Sequence, residues 1–333
     1  MKEVFDFEQF VEGGREVYGQ REELEAAAAE AFGKGIENVL MIGIGGTWGE
    51  FLCIAQILQR ETSLPLYVEE AAEFCVKVHK PYLTEKTLLL TASVTGDTKE
   101  TIGALEIGRK KDCHIVSFTE KEDSAIASLS DTHVLMPRED VYTVAYIFLL
   151  RLLFLRGEYP LYPKWIEEMA GFHKGLGACM RAHGSELEAM AEALDRYDYS
   201  LWAGCGTLWG ELHVFTNCVL EEMQWKRTTS VTSGEFFHGP FELLDENLLM
   251  FLIKGIDEYR PLDERVEKFA RKYAGKFYVL DMAEYKVRGI GDEFQVLMAP
   301  AVLSEVTYLL AGYLSARTGH DLSFRRYYRK FDY

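Results

Sequence analysis

The chain carries one local pattern twice: a short apolar run, a glycine-containing turn, the tripeptide Trp-Gly-Glu and an amphipathic stretch of helical spacing. The first copy covers residues 39–58 (VLMIGIGGTWGEFLCIAQIL) and the second covers residues 200–220 (SLWAGCGTLWGELHVFTNCVL). A short apolar run bounded by glycine is typical of a strand that is buried on both faces, as in parallel sheets. The repeat therefore predicts two similar α/β domains, each a parallel sheet with helices on both faces.

The other apolar runs fit the same alternation of strands and helices. We predict strands at residues 38–44, 64–68, 87–91, 114–118, 133–136, 200–203, 228–231, 248–253 and 276–280. We predict helices at residues 4–34, 48–60, 98–110, 139–157, 163–195, 208–226, 260–274 and 299–317. The chain then divides into an N-terminal helical segment, two domains and a basic aromatic tail, at residues 1–34, 35–160, 175–317 and 318–333.

The charge of the chain bears on the partners it can bind. Its 36 lysines and arginines stand against 53 aspartates and glutamates, which gives a formal net charge of −17. Such an excess of acid opposes contact with nucleic acid or an anionic membrane, but one small phosphate needs only a local group of donors. The six cysteines are scattered and form no C-x-x-C pair, so no metal site is predicted. With no signal sequence at the N-terminus, we expect a cytoplasmic protein.

The first glycine turn, residues 43–49, joins a predicted strand to a predicted helix. Backbone N–H groups at such a turn can face an anion, and this makes Gly46 and Thr47 candidate ligand-binding residues. A dinucleotide site would use Glu69 or Glu70 as the ribose acid, but Trp48 breaks the G-x-G-x-x-G pattern. An ordinary tight turn remains an equal alternative for this segment alone.

Residues 93–98 (SVTGDT), here called the hydroxyl loop, directly follow the third predicted strand. Ser93, Thr95 and Thr98 place three hydroxyl donors at the start of a helix, which is a favourable setting for a phosphomonoester dianion. The alternative is helix capping by Thr95 or by Asp97. Capping explains one hydroxyl but not three, so we favour a phosphate site.

Two neighbouring segments hold candidate proton-transfer groups. Glu221 and Glu222 end an apolar helical stretch, and because successive residues face different ways, at most one of them is expected to point into a cleft. Residues 232–235 (TSGE) have the spacing of a capping box, which gives Glu235 a structural role. His238 precedes Gly-Pro, which stops a helix, and the segment alone leaves open whether it is catalytic or a surface histidine.

Together these residues resemble the sugar isomerase (SIS) domain family, and the resemblance covers nearly the whole chain as two tandem SIS domains. The hydroxyl loop with Thr101 is similar to the family's S-x-S-G-x-T phosphate loop. Residues 233–240 (SGEFFHGP) are similar to the G-E-x-x-H-G-P motif in the isomerase half of glucosamine-6-phosphate synthases and in their deglycase relatives. In those enzymes a glutamate sixteen residues before the motif histidine acts with it, and this spacing leads to Glu222.

The tail narrows the resemblance. Its Arg-Arg-Tyr-Tyr sequence, residues 325–328, is similar to the ending of fructosamine-6-phosphate deglycases. The resemblance implies flavodoxin-like, three-layer αβα domains and release of glucose 6-phosphate and a free amine from a 6-phosphorylated ketosamine. It implies Glu222 as base and His238 as acid. Tyr327, Tyr328 and Lys330 are possible tail contacts.

The resemblance leaves two other functions open, an aldose–ketose phosphosugar isomerase and a non-catalytic phosphosugar-sensing protein. It implies a sugar phosphate as ligand and no cofactor. It also implies a homodimer or higher homo-oligomer with a shared active site, in which His238 serves its own or the neighbouring subunit's Glu222. The identity of the leaving amine is not readable from the sequence.

Overall fold

The protein is described here by a computed structural model that covers residues 4–331. The chain folds as two compact units. The first unit consists of residues 8–174 and 289–294, and the second consists of the described parts of residues 1–7, 175–288 and 295–333. The predicted domain limits, 35–160 and 175–317, stay predictions that limited proteolysis can test.

The first unit contains a five-stranded sheet in which every pair of neighbouring strands is parallel. Its order is β2-β1-β3-β4-β5, so the chain reverses its direction of progress across the sheet between β1 and β3. This is the flavodoxin-like order of a doubly wound fold. The strands are β1 (Asn38–Gly43), β2 (Leu66–Glu70), β3 (Thr87–Ser93), β4 (His114–Thr119) and β5 (Thr132–Leu135).

The burial of these strands explains their sequences. Every residue of β1, β3 and β4 is buried, whereas the edge strands β2 and β5 are partly exposed. A central parallel strand is covered by helices on both faces and therefore reads as a continuous apolar run. One face packs against apolar side chains of helices such as Phe74, Leu105 and Ile126.

Ten helices precede the second sheet in the described chain. They are α1 (Phe7–Gly19), α2 (Arg21–Gly33), α3 (Gly46–Leu58), α4 (Ala71–Val76), α5 (Lys99–Arg109), α6 (Ala125–Leu129), α7 (Val141–Leu155), α8 (Tyr162–Met169), α9 (Phe172–Ala182) and α10 (Gly184–Arg196). The prediction of one helix at residues 4–34 was wrong, because that region is divided in two, and the helical region predicted at residues 163–195 consists of three helices. Glycines lie at each break, at Gly19, Gly171 and Gly184, where their low helix propensity favours a change of direction.

The second unit contains a four-stranded parallel sheet of order β7-β6-β8-β9. This order reverses at β6 and β8 in the way that the first sheet reverses at β1 and β3. The fold is therefore α/β with two parallel sheets flanked by helices, which confirms the predicted class. The strands are β6 (Tyr199–Gly204), β7 (Arg227–Thr232), β8 (Leu249–Lys254) and β9 (Lys276–Asp281).

Aromatic rings cover one face of this second sheet. Trp202 stacks on Phe251 with ring centroids 4.1 Å apart, and Phe251 stacks in turn on Tyr278 at 5.4 Å. Phe215 packs edge-on against Trp202 at 5.2 Å. Aromatic contacts of this kind add to the stabilisation from burial. They fix the segment that carries Phe215 against the sheet, and that segment leads directly to Glu222.

The segment predicted as one helix over 208–226 has a different form. A 3₁₀ turn (Gly206–Leu208) leads into α11 (Trp209–His213), and a π-helix follows (Val214–Glu221). Its wider turns are seen where the N–H of Glu222 bonds the carbonyl of Asn217, five residues earlier, at 3.2 Å. The apolar spacing of this segment fits a π-helix as well as an α-helix, so periodicity could not separate them.

Two further helices complete the second unit, α12 (Arg260–Tyr273) and α13 (Gln295–Thr318). Residues Asp292–Thr318 are long and apolar enough to cross a membrane by length and composition alone. Of the apolar window in that stretch, 78% is buried within the protein. Such burial is typical of a core helix in a globular fold.

Candidate functional site

The hydroxyl loop follows β3 at its carboxyl end and is held by its own hydrogen bonds. Ser93 Oγ accepts from the N–H of Gly96 at 3.1 Å and lies 3.5 Å from Thr98 Oγ1. Gly96 has a φ of 64°, and a Cβ there would lie 2.3 Å from Ser124 Oγ. Only glycine fits this position, because any side chain would collide with Ser124. The loop thus brings the hydroxyls of Ser93 and Thr98 together.

Thr98 is the residue that precedes α5, yet its side chain does not cap the helix. Thr95 instead donates its hydroxyl to the carboxylate of Asp97. The first backbone N–H groups of α5 therefore receive no side-chain acceptor from Thr98, and its hydroxyl remains half-buried beside them. A helix N-terminus of this kind attracts anions through its N–H groups and its dipole.

The first glycine turn lies at the carboxyl end of β1, next to β3 in the sheet. Gly45 adopts a φ of 58°, and α3 begins at Gly46 without any side-chain cap. Thr47 is half-buried in the first turn of that helix. The turn and the hydroxyl loop thus follow the two neighbouring strands at which the strand order reverses. Open α/β sheets bind ligands at this switch point.

The two acids considered for a dinucleotide ribose have other partners. Glu70 caps α4 by accepting from the N–H groups of Ala72 and Glu73, at 3.1 and 2.7 Å. Glu69 accepts from the hydroxyl of Tyr82 and the ammonium of Lys77, both at 2.5 Å. Both oxygens of Glu70 are therefore used as a helix cap and Oε1 of Glu69 is held by Tyr82 and Lys77, which disfavours the dinucleotide alternative.

At the turn of the second unit that corresponds to the first glycine turn, a carboxylate of the protein itself accepts the hydrogen bonds. Gly206 matches Gly45 in the repeated sequence and has nearly the same φ, 63°. The next residue, Thr207, donates its N–H and its hydroxyl to Asp257 Oδ2, at 2.9 and 2.7 Å. Oδ1 of Asp257 accepts from the N–H of Tyr259 at 2.9 Å. An external phosphate would have to displace this carboxylate.

A second buried acid, Asp263, stabilises the same group of loops. It accepts from Ser233 Oγ at 2.5 Å, from Cys205 Sγ at 3.2 Å and from the N–H of Gly255 at 2.9 Å. Burial raises the pKa of Asp263 despite these hydrogen bonds. Burial and the neighbouring carboxylate also raise the pKa of the Cys205 thiol. A thiol of raised pKa is a poor nucleophile at neutral pH, which gives Cys205 a structural role.

The adjacent acids Glu221 and Glu222 have different partners and different exposure. Glu221 is exposed and accepts from the N–H and hydroxyl of Thr228, at 3.3 and 2.8 Å. Glu222 is half-buried, and its Oε1 accepts from Nε of Arg325 at 2.7 Å. Among residues 4–331 no other hydrogen bond reaches the Glu222 carboxylate, so its Oε2 is open. Of the two, Glu222 is the more buried and keeps one carboxylate oxygen without a hydrogen bond from the described residues.

Backbone geometry is unusual on both sides of Glu222. The π-helix ends at Glu221, and Trp225 adopts a φ of 55°, the left-handed region that a tryptophan rarely enters. Single π-turns and strained residues are both concentrated at functional sites. These two features support a functional role for the segment between them.

His238 lies in a 3₁₀ turn, Phe236–His238, that ends at Gly239 with a φ of 143°. Thr232 Oγ1 accepts from the N–H of Glu235 at 3.2 Å, which is one half of the predicted capping box, whereas the Glu235 side chain makes no cap hydrogen bond. Phe236 is fully buried, whereas His238 is exposed. Within the described chain the imidazole of His238 has no hydrogen-bond partner, so both of its ring nitrogens are available.

An aromatic cluster packs this turn against α12. The rings of Phe236, Phe237 and Phe241 all pack against Phe269 of α12, at centroid distances of 6.2, 5.5 and 5.8 Å. The guanidinium of Arg265 lies 4.0 Å from the centre of the Phe237 ring. Packed rings on both sides of an exposed histidine fix its backbone while leaving its side chain free.

The C-terminal tail contacts Glu222 through Arg325, a residue for which no individual role was predicted from the sequence. Arg325 binds Glu222, whereas Tyr327 and Tyr328 are exposed. Lys330 donates its ammonium to the carbonyl of Arg325. The sequence signal for Arg325 was its place in the Arg-Arg-Tyr-Tyr tail, but nothing local indicates that it reaches Glu222.

One group of described side chains has the spacing to hold a metal ion. It consists of His183, Glu186 and Glu284, whose ligand atoms lie within 4.8 Å of one another. Nδ1 of His183 lies 3.0 Å from the carbonyl of Cys179. Glu284 is exposed, and acidic groups at a surface are common without an ion. We assign no metal to this group.

Comparison with known proteins identifies the class to which this geometry belongs. Residues 37–156 match the family model for the SIS domain. The matched range holds all five strands of the first sheet, the first glycine turn and the hydroxyl loop. The second sheet, with the same all-parallel order, is consistent with a tandem SIS domain.

Two relatives are similar over nearly the whole chain. Fructosamine deglycase FrlB of Bacillus subtilis (strain 168) is 28% identical over 319 residues, which cover 93% of this chain and 97% of that protein. Fructoselysine 6-phosphate deglycase of Escherichia coli (strain K12) is 23% identical over 310 residues, covering 92% and 89%. A glutamine–fructose-6-phosphate aminotransferase of Idiomarina loihiensis is 25% identical over 313 residues, 87% of this chain and half of that protein.

Solved structures agree with the fold. A Bacillus subtilis protein described as a phosphosugar isomerase superposes with a TM-score of 0.88 at 28% identity, covering 94% of this chain and 97% of that one. A Salmonella typhimurium protein of the same description superposes with a TM-score of 0.86 at 25% identity, with the same coverage. The comparisons therefore support a phosphosugar deglycase or isomerase.

Proposed function

We propose that this protein is a deglycase that cleaves a 6-phosphorylated fructosamine into glucose 6-phosphate and a free amine or amino acid. The observation that carries the proposal is the state of two side chains in the second unit. Glu222 is half-buried with one open carboxylate oxygen, and His238 is exposed with a free imidazole on a rigid turn. Similarity to two deglycases along almost the whole chain supports the same assignment.

The proposed chemistry starts from the open-chain ketosamine. Glu222 takes a proton from C1 while His238 gives a proton to the oxygen on C2, which produces an enolamine. Return of a proton to C2 gives the imine of glucose 6-phosphate at C1. Water adds to that imine, and the C–N bond breaks to release the amine and the aldehyde sugar. Positioned acids and bases each contribute about 10²–10⁴-fold in such steps.

Residues of the first unit are proposed to bind the phosphate. The hydroxyls of Ser93 and Thr98 and the uncapped start of α3 at Gly46 and Thr47 offer donors, and the hydroxyl of Thr95 would exchange its bond to Asp97 for one to the phosphate. Binding energy from this non-reacting phosphate can orient the sugar for proton transfer. Tyr327, Tyr328 and Lys330 are retained as tail contacts of the substrate. The proposed cycle needs no cofactor and no metal.

A substrate panel tests the proposal. The purified protein is incubated with 6-phosphofructosyl-lysine, -asparagine and -glycine, and glucose 6-phosphate is followed with a coupled dehydrogenase. Release from at least one of them is expected. Conversion of fructose 6-phosphate alone, with no release from any ketosamine, would establish an aldose–ketose isomerase instead, as the description of the two solved structures suggests. A rise in Tm with sugar phosphate but no turnover would indicate a sensor.

The oligomeric proposal is that the protein acts in the cytoplasm as a homodimer or higher homo-oligomer in which His238 of one chain serves the partner's Glu222. Mixing inactive Glu222→Gln and His238→Asn proteins tests it. If the site is shared between chains, re-formed mixed dimers hold one intact site, and activity returns to about a quarter of the wild-type value. No recovery after subunit exchange would place both groups of a site in one chain.

A further inference from the structure

The tail residue Arg325 is held in place by more than its contact with Glu222. Its Nη1 donates to the carbonyls of Leu322 and Phe324, at 2.7 and 3.0 Å, while Nε donates to Glu222 Oε1 at 2.7 Å. The Arg325 side chain is only 17% exposed, and that of Glu222 is 34% exposed. The planar guanidinium thus joins the turn of the tail to the carboxylate in one fixed geometry.

The contact with Arg325 gives the two carboxylate oxygens of Glu222 different surroundings. Oε1 is occupied by Arg325, and Oε2 receives no hydrogen bond from any residue between 4 and 331. A carboxylate that is fixed through one oxygen presents the other in a defined direction, whereas a free glutamate samples several rotamers. We propose that Arg325 is a positioning residue that aims Oε2 of Glu222 at the carbon whose proton is removed. This inference rests on the proposed function.

The rest of the tail is fixed to the residues that directly follow Glu222. Gln224, which is buried, donates from Nε2 to the carbonyl of His320 at 2.9 Å. The His320 ring packs edge-on against Trp225 at 4.3 Å, and the guanidinium of Arg326 lies 3.9 Å from the centre of the Trp225 ring. The tail therefore contacts both the proposed base and the residues that come after it in the chain.

These contacts also account for the backbone of Trp225. A left-handed non-glycine residue is strained and persists only where its surroundings hold it. Trp225 is held by His320 and Arg326, both of which belong to the tail. The tail thus maintains the strained turn after Glu222 while Arg325 fixes the carboxylate itself. Both effects favour one orientation of the base.

The first test separates positioning from a merely structural role through kinetics. In Arg325→Gln, kcat is expected to fall on the order of 10²-fold, because a displacement of a catalytic group by about 1 Å has an effect of this size, while KM changes little. Arg325→Lys should recover only part of kcat, since an ammonium cannot bind Glu222 and two carbonyls in the same plane. Arg317→Gln is the matched control, because Arg317 pairs with Asp195 instead. Its kcat should equal that of the wild type.

Two kinetic results would overturn the proposal. A wild-type kcat in Arg325→Gln would mean that the arginine does not orient the base. A raised kcat would mean that the arginine shields the base from substrate. The split between kcat and KM matters because general loss of the tail fold would change both values.

The second test needs no substrate and keeps this inference distinct from the proposed function. Hydrogen–deuterium exchange of the peptide covering residues 319–331 is compared in the wild type, Glu222→Gln, Arg325→Gln and the double variant. We expect faster exchange in each single variant and no further increase in the double variant, since both remove the same contact. If no ketosamine is turned over but this coupling is found, the contact stands and the proposed function fails. Equal exchange in all four proteins would overturn the inference.

Discussion

Thr207 donates both its backbone N–H and its hydroxyl to a single oxygen of Asp257, at 2.9 and 2.7 Å. The matching turn of the first unit has a glycine of nearly the same φ, Gly45, but α3 begins directly after it without a side-chain acceptor. Two copies of one strand–turn–helix pattern have therefore diverged in charge. The second copy carries its own anion, and only the first has donors left for an external one.

This divergence predicts one sugar-phosphate site in each chain. Calorimetric titration with glucose 6-phosphate should give a stoichiometry near one. Replacing Ser93 and Thr98 together by alanine and valine should weaken binding by at least about tenfold, as expected for two lost hydrogen bonds to a charged group. Thr207→Val, the control in the second unit, should bind normally. Binding of two glucose 6-phosphate molecules per wild-type chain would contradict the inference that Asp257 blocks the corresponding turn of the second unit.

The carboxylate of Asp257 should also matter for stability. Asp257→Ala leaves the N–H groups of Thr207 and Tyr259 without their acceptor, and each such buried group costs about 1–3 kcal/mol. We expect the free energy of unfolding in urea to fall by about 2–4 kcal/mol. Glu264→Ala, which removes an exposed helical pair with Arg260, should change it by less than about 0.5 kcal/mol. Similar losses in the two variants would argue against a structural role for Asp257.

The strands were predictable because burial on both faces leaves a strong local signal. The fully buried β1 and β3 were found at their apolar runs, and the Gly-Thr-Trp and Gly-Asp-Thr turns marked their carboxyl ends. The edge strand β2 was placed two residues early, since its exposed Tyr67 and its acidic end weaken the apolar pattern. The position of a central strand can therefore be predicted from the sequence more accurately than that of an edge strand.

The surroundings of Glu222 were less predictable for physical reasons. The π-helix before it has an apolar spacing that an α-helix would share. Arg325 lies 103 residues away along the chain, and no periodicity relates two residues at that distance. The sequence could identify Glu222 from its spacing to His238 within a resemblance, but the groups that hold its carboxylate became apparent only in three dimensions.

Glu222 and Glu221 form a matched pair for testing the proposed base. Glu222→Gln should lower kcat by about 10²–10⁴-fold, because a neutral amide cannot accept the C1 proton. Glu221→Gln should keep near-wild-type kcat and lose at most about 1 kcal/mol of stability, since its exposed carboxylate bonds only Thr228 among the described residues. Coupled release of glucose 6-phosphate and urea unfolding measure the two effects. A larger loss of kcat in Glu221→Gln than in Glu222→Gln would indicate that Glu221, and not Glu222, is the base.

His238 should be catalytically important and structurally dispensable. Its side chain is exposed, and the turn beneath it is held by the buried Phe236. His238→Asn is therefore expected to lower kcat by about 10²-fold or more while Tm stays within about 1 °C of the wild type. Phe236→Ala is the contrasting variant, because loss of a buried ring costs about 3–5 kcal/mol. A His238→Asn protein with wild-type kcat would remove the histidine from the mechanism.

The carboxylate of Glu158 should make the stability of the protein depend on pH in the acid range. Burial alone would raise the pKa of Glu158, but hydrogen bonds from Arg156, Ser63 and Thr62 outweigh it and lower the pKa to about 2. Because the folded-state pKa is depressed, the stabilisation is complete above the unfolded value of 4.5 and is lost as pH falls towards 2. Solvent screening reduces its size, since the group is near the surface.

Thermal unfolding of Glu158→Gln should therefore show a smaller drop in Tm between pH 5.5 and pH 3 than the wild type shows. The neutral amide has no proton to bind, so its contribution cannot change over that window. Glu61→Gln serves as the control, because Glu61 is exposed, and its Tm should fall by as much as that of the wild type over the same pH range. If the drop is the same in Glu158→Gln and in the wild type, acid sensitivity of the protein arises from other carboxylates.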